Sequence, residues 1–368
     1  MKKIGVLLPQ SKAYPTIGKD FVRGLKQALG GEIEMKIEGV GLANNPKDVI
    51  DSIQKLINQE DVALTTGLLG HKGMPEVLDF VEGMDETLIY ADLGAAEPES
   101  LKGRKGVYCN SFGLFDASHA LGKYLVENGM KNIGVSTCYY DAGYAFLEAL
   151  ENAVHKDPKG QLAGHFITPL NPRENEAELM AEFVSESKPD AIFGFHNGVF
   201  AKEHAEYLRL NKINESTPLY TLPFSIEERV LKEYPYIFNK TRCVSSWFPE
   251  LENEENTIFI EKYKSEYGSI PSIFALLGYE NGLLIEQFLK DEDLITKPFS
   301  GPRGSLNINP ETNRTSCTHY LWELLAKENA YIRNALQSLE LDDYSISKVE
   351  HEDVNSGIGG WHNAYLCH

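Results

Sequence analysis

Apolar and polar positions along this chain alternate between two periods. Residues 4–8 form an unbroken apolar run, and residues 20–29 carry apolar side chains at helical spacing. A loop of small, polar and aromatic residues, 9–18, lies between them. The rhythm continues with strands predicted over 33–40, 62–66 and 87–91 and helices over 46–59 and 74–83. It then restarts, with helices predicted over 117–128, 143–154, 174–187 and 199–210 and strands over 133–137, 165–168, 191–194 and 219–222. Such alternation predicts an α/β fold, a parallel sheet with helices on both faces. The restart predicts two similar lobes.

The last third is less regular. Helices are predicted over 257–267 and 275–289, and turn residues flank short alternating runs after residue 300. These read as a late hairpin: a strand over 305–308, a turn over 309–314 and a return strand over 316–321.

Composition narrows the functional classes. The 368 residues are 42% hydrophobic and 10% aromatic, which suits two folded domains. A formal net charge of −19 lacks the basic footprint that nucleic acid requires. No stretch reaches the roughly 18 apolar residues of a membrane-spanning helix. Five cysteines (Cys109, Cys138, Cys243, Cys317, Cys367) are dispersed without CxxC spacing, and the His351, His362, Cys367, His368 tail fits no common zinc pattern. Dinucleotide, P-loop, GxSxG and HExxH motifs are all missing, so the sequence points to no enzyme and no cofactor.

Several segments together carry a family likeness: IGVLLP at 4–9 ahead of a helix led by Gly18, LTTGLLG at 64–70, LGAAEPE at 93–99, Gly143 before FLEAL, and GPRGSLNINPETNRT at 301–315. In this order they resemble the type I periplasmic binding proteins of ABC transporters, specifically the leucine/isoleucine/valine-binding branch. The resemblance implies two Rossmann-like lobes, parallel sheets flanked by helices, joined by three hinge crossovers near 115–118, 245–249 and 295–300. Lobe one is then expected at 1–116 plus 248–297, lobe two at 117–247 plus 298–338, and 339–368 as a C-terminal tail packing on a lobe. It further implies a monomer that binds a small molecule by hinge closure and hands it to a membrane permease. A ligand-sensing regulatory domain of the same fold is the alternative, and an α/β enzyme the weaker rival.

Candidate contacts are the loops after the strands, because ligands of α/β sheets collect outside the carboxyl ends. The first loop offers Ser11 and Tyr14. In amino-acid-binding relatives hydroxyl side chains and backbone N–H groups at two turns hold the α-carboxylate. Those turns correspond here to Leu69 and His71, and to Ala95 and Ala96, where His71 and Ala96 replace the hydroxyls. From lobe two come Tyr140, Asp141 and Tyr144 in CYYDAGYAF, His196 and Asn197 in FGFHNG, and Phe224 in LPFS. Trp247, at the second crossover, either stacks on a ligand or packs the hinge. The missing hydroxyls point to a small polar metabolite other than a plain branched-chain amino acid: an amino acid or amino-acid-like compound, an amide or an aromatic acid. Met1-Lys2-Lys3 precedes strand-like sequence with no secretory signal. The expected location is therefore periplasmic, or exported and lipid-anchored, for a mature form, and cytoplasmic for a chain that starts at Met1.

Overall fold

The computed structural model describes residues 2–43, 45–70, 73–96, 99–138, 145–328 and 330–341. The chain first builds β1 (Lys2–Leu8), α1 (Ile17–Leu29), β2 (Ile33–Gly39), α2 (Pro46–Glu60), β3 (Thr65–Leu68), α3 (Met74–Gly83), β4 (Leu88–Asp92) and β5 (Val107–Ser111). It then crosses to a second unit made of α4 (Leu114–Glu127), β6 (Asn132–Cys138), α5 (Ala145–Val154), β7 (Gln161–Thr168), α6 (Glu176–Ser187) and β8 (Ala191–Phe195). That unit continues with α7 (Val199–Asn211), α8 (Ile213–Ser216), β9 (Leu219–Thr221), α9 (Glu228–Glu233) and β10 (Arg242–Ser245). The chain returns through α10 (Glu254–Tyr267), α11 (Ile273–Lys290), β11 (Phe299–Gly301), β12 (Gly304–Asn309) and β13 (Arg314–Ser316). It crosses a last time to β14 (His319–Lys327) and β15 (Ala330–Leu339).

Two sheets result. The first has eight strands in the order β11-β12-β13-β5-β4-β3-β1-β2, and the second seven in the order β15-β14-β10-β9-β8-β6-β7. The βα strands pair in parallel, as at β1 with β2 and β3 and at β6 with β7 and β8. Antiparallel pairing occurs only where a late strand, β11 to β15, is a partner. Strands such as β4, β5 and β8 are almost wholly buried, as parallel strands between two helical layers must be. Helix α11 lies along α1 at close range: a Cβ on Gly24 would stand 1.9 Å from the Ala275 carbonyl oxygen, and one on Gly278 2.0 Å from that of Phe21. A residue from the late part of the chain thereby sits beside the first loop.

The late segment departs from the sequence reading. A hairpin does form, but its second strand is the short β13, and both β12 and β13 join the first sheet. The following strand β14 pairs with β10 in the second sheet. Residues 299–316 therefore belong to the first sheet and not to lobe two, and the third crossing runs from Ser316 to His319, not over 295–300. Leu339 is the end of β15, so the expected tail begins inside a strand, and residues 342–368 lie outside the described residues.

The crossings are tied together by a buried polar network. Arg303, in the β11–β12 turn, meets Glu280 of α11 through Nε at 2.9 Å and Nη2 at 2.6 Å, and both side chains have 0% exposure. Its Nη1 donates to the Ser111 carbonyl (2.8 Å) and to Cys317 Sγ (3.4 Å), and its Nη2 also donates to Asn110 Oδ1 (2.8 Å). Burial alone would lower the Arg303 pKa, but the carboxylate of Glu280 raises it above the ordinary value and keeps the guanidinium charged. Ser246 Oγ, at the second crossing, donates to the Phe112 carbonyl of the first at 3.1 Å. All three crossings thus meet within one hydrogen-bonded cluster.

Candidate functional site

Strand order reverses at β1/β3 in the first sheet and at β6/β8 in the second. These are the switch points where an α/β sheet opens a crevice at its carboxyl edge. The loops after β1, β3 and β4 face this edge from one lobe, and those after β6, β8, β9 and β10 from the other.

The loop after β1 reaches across to the second lobe. Ser11 Oγ accepts the Tyr14 backbone N–H at 3.0 Å, and Pro15 restricts Tyr14 to extended backbone. The Tyr14 ring is 9% exposed and stands edge-on to Phe224 (5.9 Å, 78°) and Phe274 (5.4 Å, 65°). Phe224 and Phe274 lie 6.2 Å apart, so three aromatic rings from both lobes meet. The Tyr14 hydroxyl donates to the Glu227 carboxylate. Arg229 donates from Nε to Glu227 (2.8 Å) and from Nη1 to the Ala13 carbonyl (3.4 Å), with its guanidinium 5.4 Å from the centre of the Tyr14 ring. Burial and then the neighbouring Glu227 charge raise the Tyr14 pKa. Burial also raises that of Glu227, against the opposing pull of Arg229.

The turn after β4 holds Ala95, 8% exposed, and Ala96, half-buried. The Leu93 and Gly94 carbonyls accept the Leu114 and Phe115 N–H groups at 3.1 and 2.7 Å, which fastens this turn to the start of α4. Gly94 has φ 65°, and a Cβ there would stand 2.3 Å from Ser111 Oγ and 2.8 Å from Arg314 Nη2, so only glycine fits. Arg314 in turn bonds Ser111 Oγ (3.0 Å) and pairs with Asp116 (3.2 Å). Leu69 is fully buried in the hydrophobic core, with its N–H given to the Ala91 carbonyl (2.9 Å). His71 lies outside the described residues.

On the facing side His196 and Asn197 are buried at the end of β8. The His196 N–H donates to Ser225 Oγ (2.9 Å), and its Nε2 lies 3.1 Å from Ser136 Oγ. Asn197 Oδ1 accepts from Cys138 Sγ at 3.4 Å. Beneath them the His196 ring stacks on His204 of α7 with centroids 4.0 Å apart and planes 9° apart. Burial, then the His204 and His165 rings, holds the His196 pKa well below the ordinary value, and burial brings His204 down to about 3. Both imidazoles are neutral, so the floor of this lobe presents dipoles and not a cation. Tyr140, Asp141 and Tyr144 lie outside the described residues.

Trp247 is brought to the hinge and not to the aromatic trio. Its Nε1 donates to Asn256 Oδ1 (2.8 Å) and its ring packs 6.4 Å from Phe259, inside the α10 layer of the first lobe. A separate cavity of about 270 Å³ lies at the opposite end of the second sheet, between the starts of β9 and β10. Its Arg242 is engaged by Tyr220 (3.0 Å) and Glu323 (3.4 Å), and the strand topology puts it far from the crevice. Among the described residues no group of three or more His, Cys, Asp or Glu side chains could hold a metal, and no helix is long and apolar enough to cross a membrane.

A profile described as periplasmic binding protein matches residues 2–322. The chain is a member of the periplasmic binding protein family. No curated protein matched it. Among solved structures, it is similar to an ABC transporter substrate-binding protein from Sphaerobacter thermophilus, with TM-score 0.79 and 18% identity over 93% of this chain and 99% of the other. A solute binding protein from R. palustris in complex with benzoate gives TM-score 0.74 and 20% identity, covering 93% and 98%. A leucine binding protein from Thermotoga maritima gives 0.70 and 18%, covering 94% and 100%. At such identities the likeness speaks for the fold, which is the two-lobed type I architecture.

Membership agrees with the expectation of a binding protein and not an enzyme. Tyr14 and Phe224 are candidates from the sequence, and in this periplasmic binding protein they pack together with three residues that the sequence did not mark. Glu227 and Arg229 stand in SIEERV, which reads as an ordinary exposed helix start, and Phe274 lies some 260 positions from Tyr14 in sequence. His204 falls within a helix, and only its spacing from His196 could have drawn attention to it.

Proposed function

We propose that this protein is the substrate-binding component of an ABC transporter and that its ligand is a small aromatic carboxylate held in the interlobe crevice. The observation that carries this reading is the meeting of Tyr14 and Phe274 from one lobe with Phe224 from the other. A crevice walled by aromatic faces suits a flat ring, since pockets of this kind are mostly apolar with a few placed polar groups. Its carboxylate would lie against the backbone donors of the turns after β3 and β4, where Ala96 removes one of the hydroxyls that an α-amino acid uses. Glu227, the acidic group at the lip, is already engaged by Arg229 and Tyr14 and is poorly placed to take an ammonium.

Support from outside the chain runs in the same direction. Several similar structures are complexes with benzoate, 3,4-dihydroxybenzoic acid or 4-hydroxybenzoate, although leucine binding and branched-chain amino acid proteins share the fold too. The protein acts as a monomer in the periplasm or attached to a membrane face, delivers its ligand to a permease, and has no nucleic-acid partner. Ser11, Tyr14, Leu69, Ala95, Ala96, His196, Asn197 and Phe224 form the described part of the binding surface, with His71, Tyr140, Asp141 and Tyr144 on the remaining loops. The test is a thermal-shift panel of benzoate, 4-hydroxybenzoate, leucine, isoleucine and valine. Aromatic acids should stabilise the protein by about 2.7 kcal/mol at a hundredfold excess over Kd. A response to the aliphatic amino acids alone would overturn the ligand class.

A further inference from the structure

The contacts at the crevice lip do more than wall a ligand. One loop of the first lobe makes three separate attachments to the second: the Tyr14 hydroxyl to Glu227, the Ala13 carbonyl to Arg229, and the Tyr14 ring beneath the Arg229 guanidinium. The loop is held in this shape from within by Ser11 and Pro15, so little order is lost when it docks. The receiving side is equally fixed. Arg229 binds Glu227 and the Ala13 carbonyl together, so the two lobes share one hydrogen-bonded unit.

The location of these groups matters as much as their number. Glu227 and Arg229 retain 19% and 38% side-chain exposure, so water can take over their hydrogen bonds when the lobes part. The hinge network around Arg303 has no such access and cannot serve as the part that opens. We propose that Tyr14, Glu227 and Arg229 form a latch that holds the lobes together with the chain's own residues, so that closure does not wait for ligand. Tyr14 is the positioning residue of that latch. Its ring belongs to the binding wall and its hydroxyl to the closing contact, and the two roles separate on removal of the oxygen alone. The inference rests on binding between two lobes, not on the identity of the ligand.

A latch has kinetic consequences that a passive wall does not. A protein already closed spends little time receptive, so ligand association is slowed by the open fraction, and dissociation is slowed by the same contacts. A hydrogen bond to a charged group at a partly exposed site changes the open-to-closed ratio by roughly tenfold.

The test is small-angle X-ray scattering on the full chain with no ligand added, for wild type, Tyr14→Phe and Arg229→Gln, with stopped-flow binding of benzoate as a second readout. Wild type should give the radius of gyration calculated from the closed structure, and both variants a larger one at an unchanged melting temperature. Association and dissociation rates of benzoate should each rise about tenfold in Tyr14→Phe. A wild type that is expanded without ligand, or a Tyr14→Phe protein as compact as wild type, overturns the latch. Because the scattering arm uses no ligand, a protein that ignores benzoate yet shows the expansion would sink the ligand class and leave the latch standing.

Discussion

Two Arg–Glu pairs take part in joining distant parts of this molecule, one wholly buried and the other partly exposed. Arg303 and Glu280 sit under the crossings with 0% exposure, and the guanidinium also binds Ser111, Asn110 and Cys317. Arg229 and Glu227 sit at the lip, partly in water, and pair across the gap with Ala13 and Tyr14. The same chemistry therefore does different work in the two places. The buried pair cannot exchange its partners for water and so fixes where the chain bends, while the exposed pair can, and so is able to let go.

The largest expected effect comes from breaking the buried pair. Arg303→Met leaves the buried Glu280 carboxyl without its partner and should cost about 3–5 kcal/mol in urea unfolding, with Arg303→Met/Glu280→Leu regaining part of it. A loss below about 1 kcal/mol would remove the distinction between the two pairs. Next is Gly94→Ala, which forces a side chain onto Ser111 and Arg314 at a positive φ. It should cost about 1–3 kcal/mol and weaken ligand binding, because the turn it distorts is fastened to the first crossing. Unchanged binding in that variant would uncouple the turn from the hinge.

The crevice floor is intermediate and titratable. His204 has its folded pKa depressed from 6.5 to about 3, and His196 is depressed with it. Their contribution to stability is complete above the ordinary histidine pKa and is lost as pH falls through it toward the folded value. Melting temperature should therefore drop between about pH 6.5 and 4, and His204→Leu should flatten that slope. An identical pH profile in the variant would place the acid sensitivity elsewhere. Smallest of all, Arg229→Gln should change the free energy of global unfolding by less than about 1 kcal/mol, measured by the same urea titration as Arg303→Met. A loss as large as that of the buried pair would erase the contrast between hinge and lip.

Much of this architecture is legible in the sequence, for a physical reason. Apolar runs such as residues 4–8 and 191–195 must be buried on both faces, and that requirement shows in composition alone. The repeat of strand and helix then fixes parallel pairing. The late segment is harder. Strand β13 is three residues, Arg314–Ser316, and reads as the end of a turn, so the strand after it was assigned to the same hairpin when it pairs in the other lobe. Strand β5, VYCNS, ends in polar residues whose partners are Arg303 and Arg314, far along the chain, so no local pattern marks it. At the candidate site, loop positions after strands make Tyr14, His196 and Phe224 candidates from sequence alone. Glu227, Arg229 and Phe274 escaped because their meaning lies only in contacts across the crevice.

Isothermal titration of the wild-type protein with 4-hydroxybenzoate and, separately, with leucine tests the central claim most directly. A ligand enclosed by both lobes should bind one to one with a negative heat-capacity change from the apolar surface buried. We expect 4-hydroxybenzoate to show this behaviour and leucine to give no saturable heat. Saturable binding of leucine with none of 4-hydroxybenzoate would contradict a crevice built for an aromatic carboxylate.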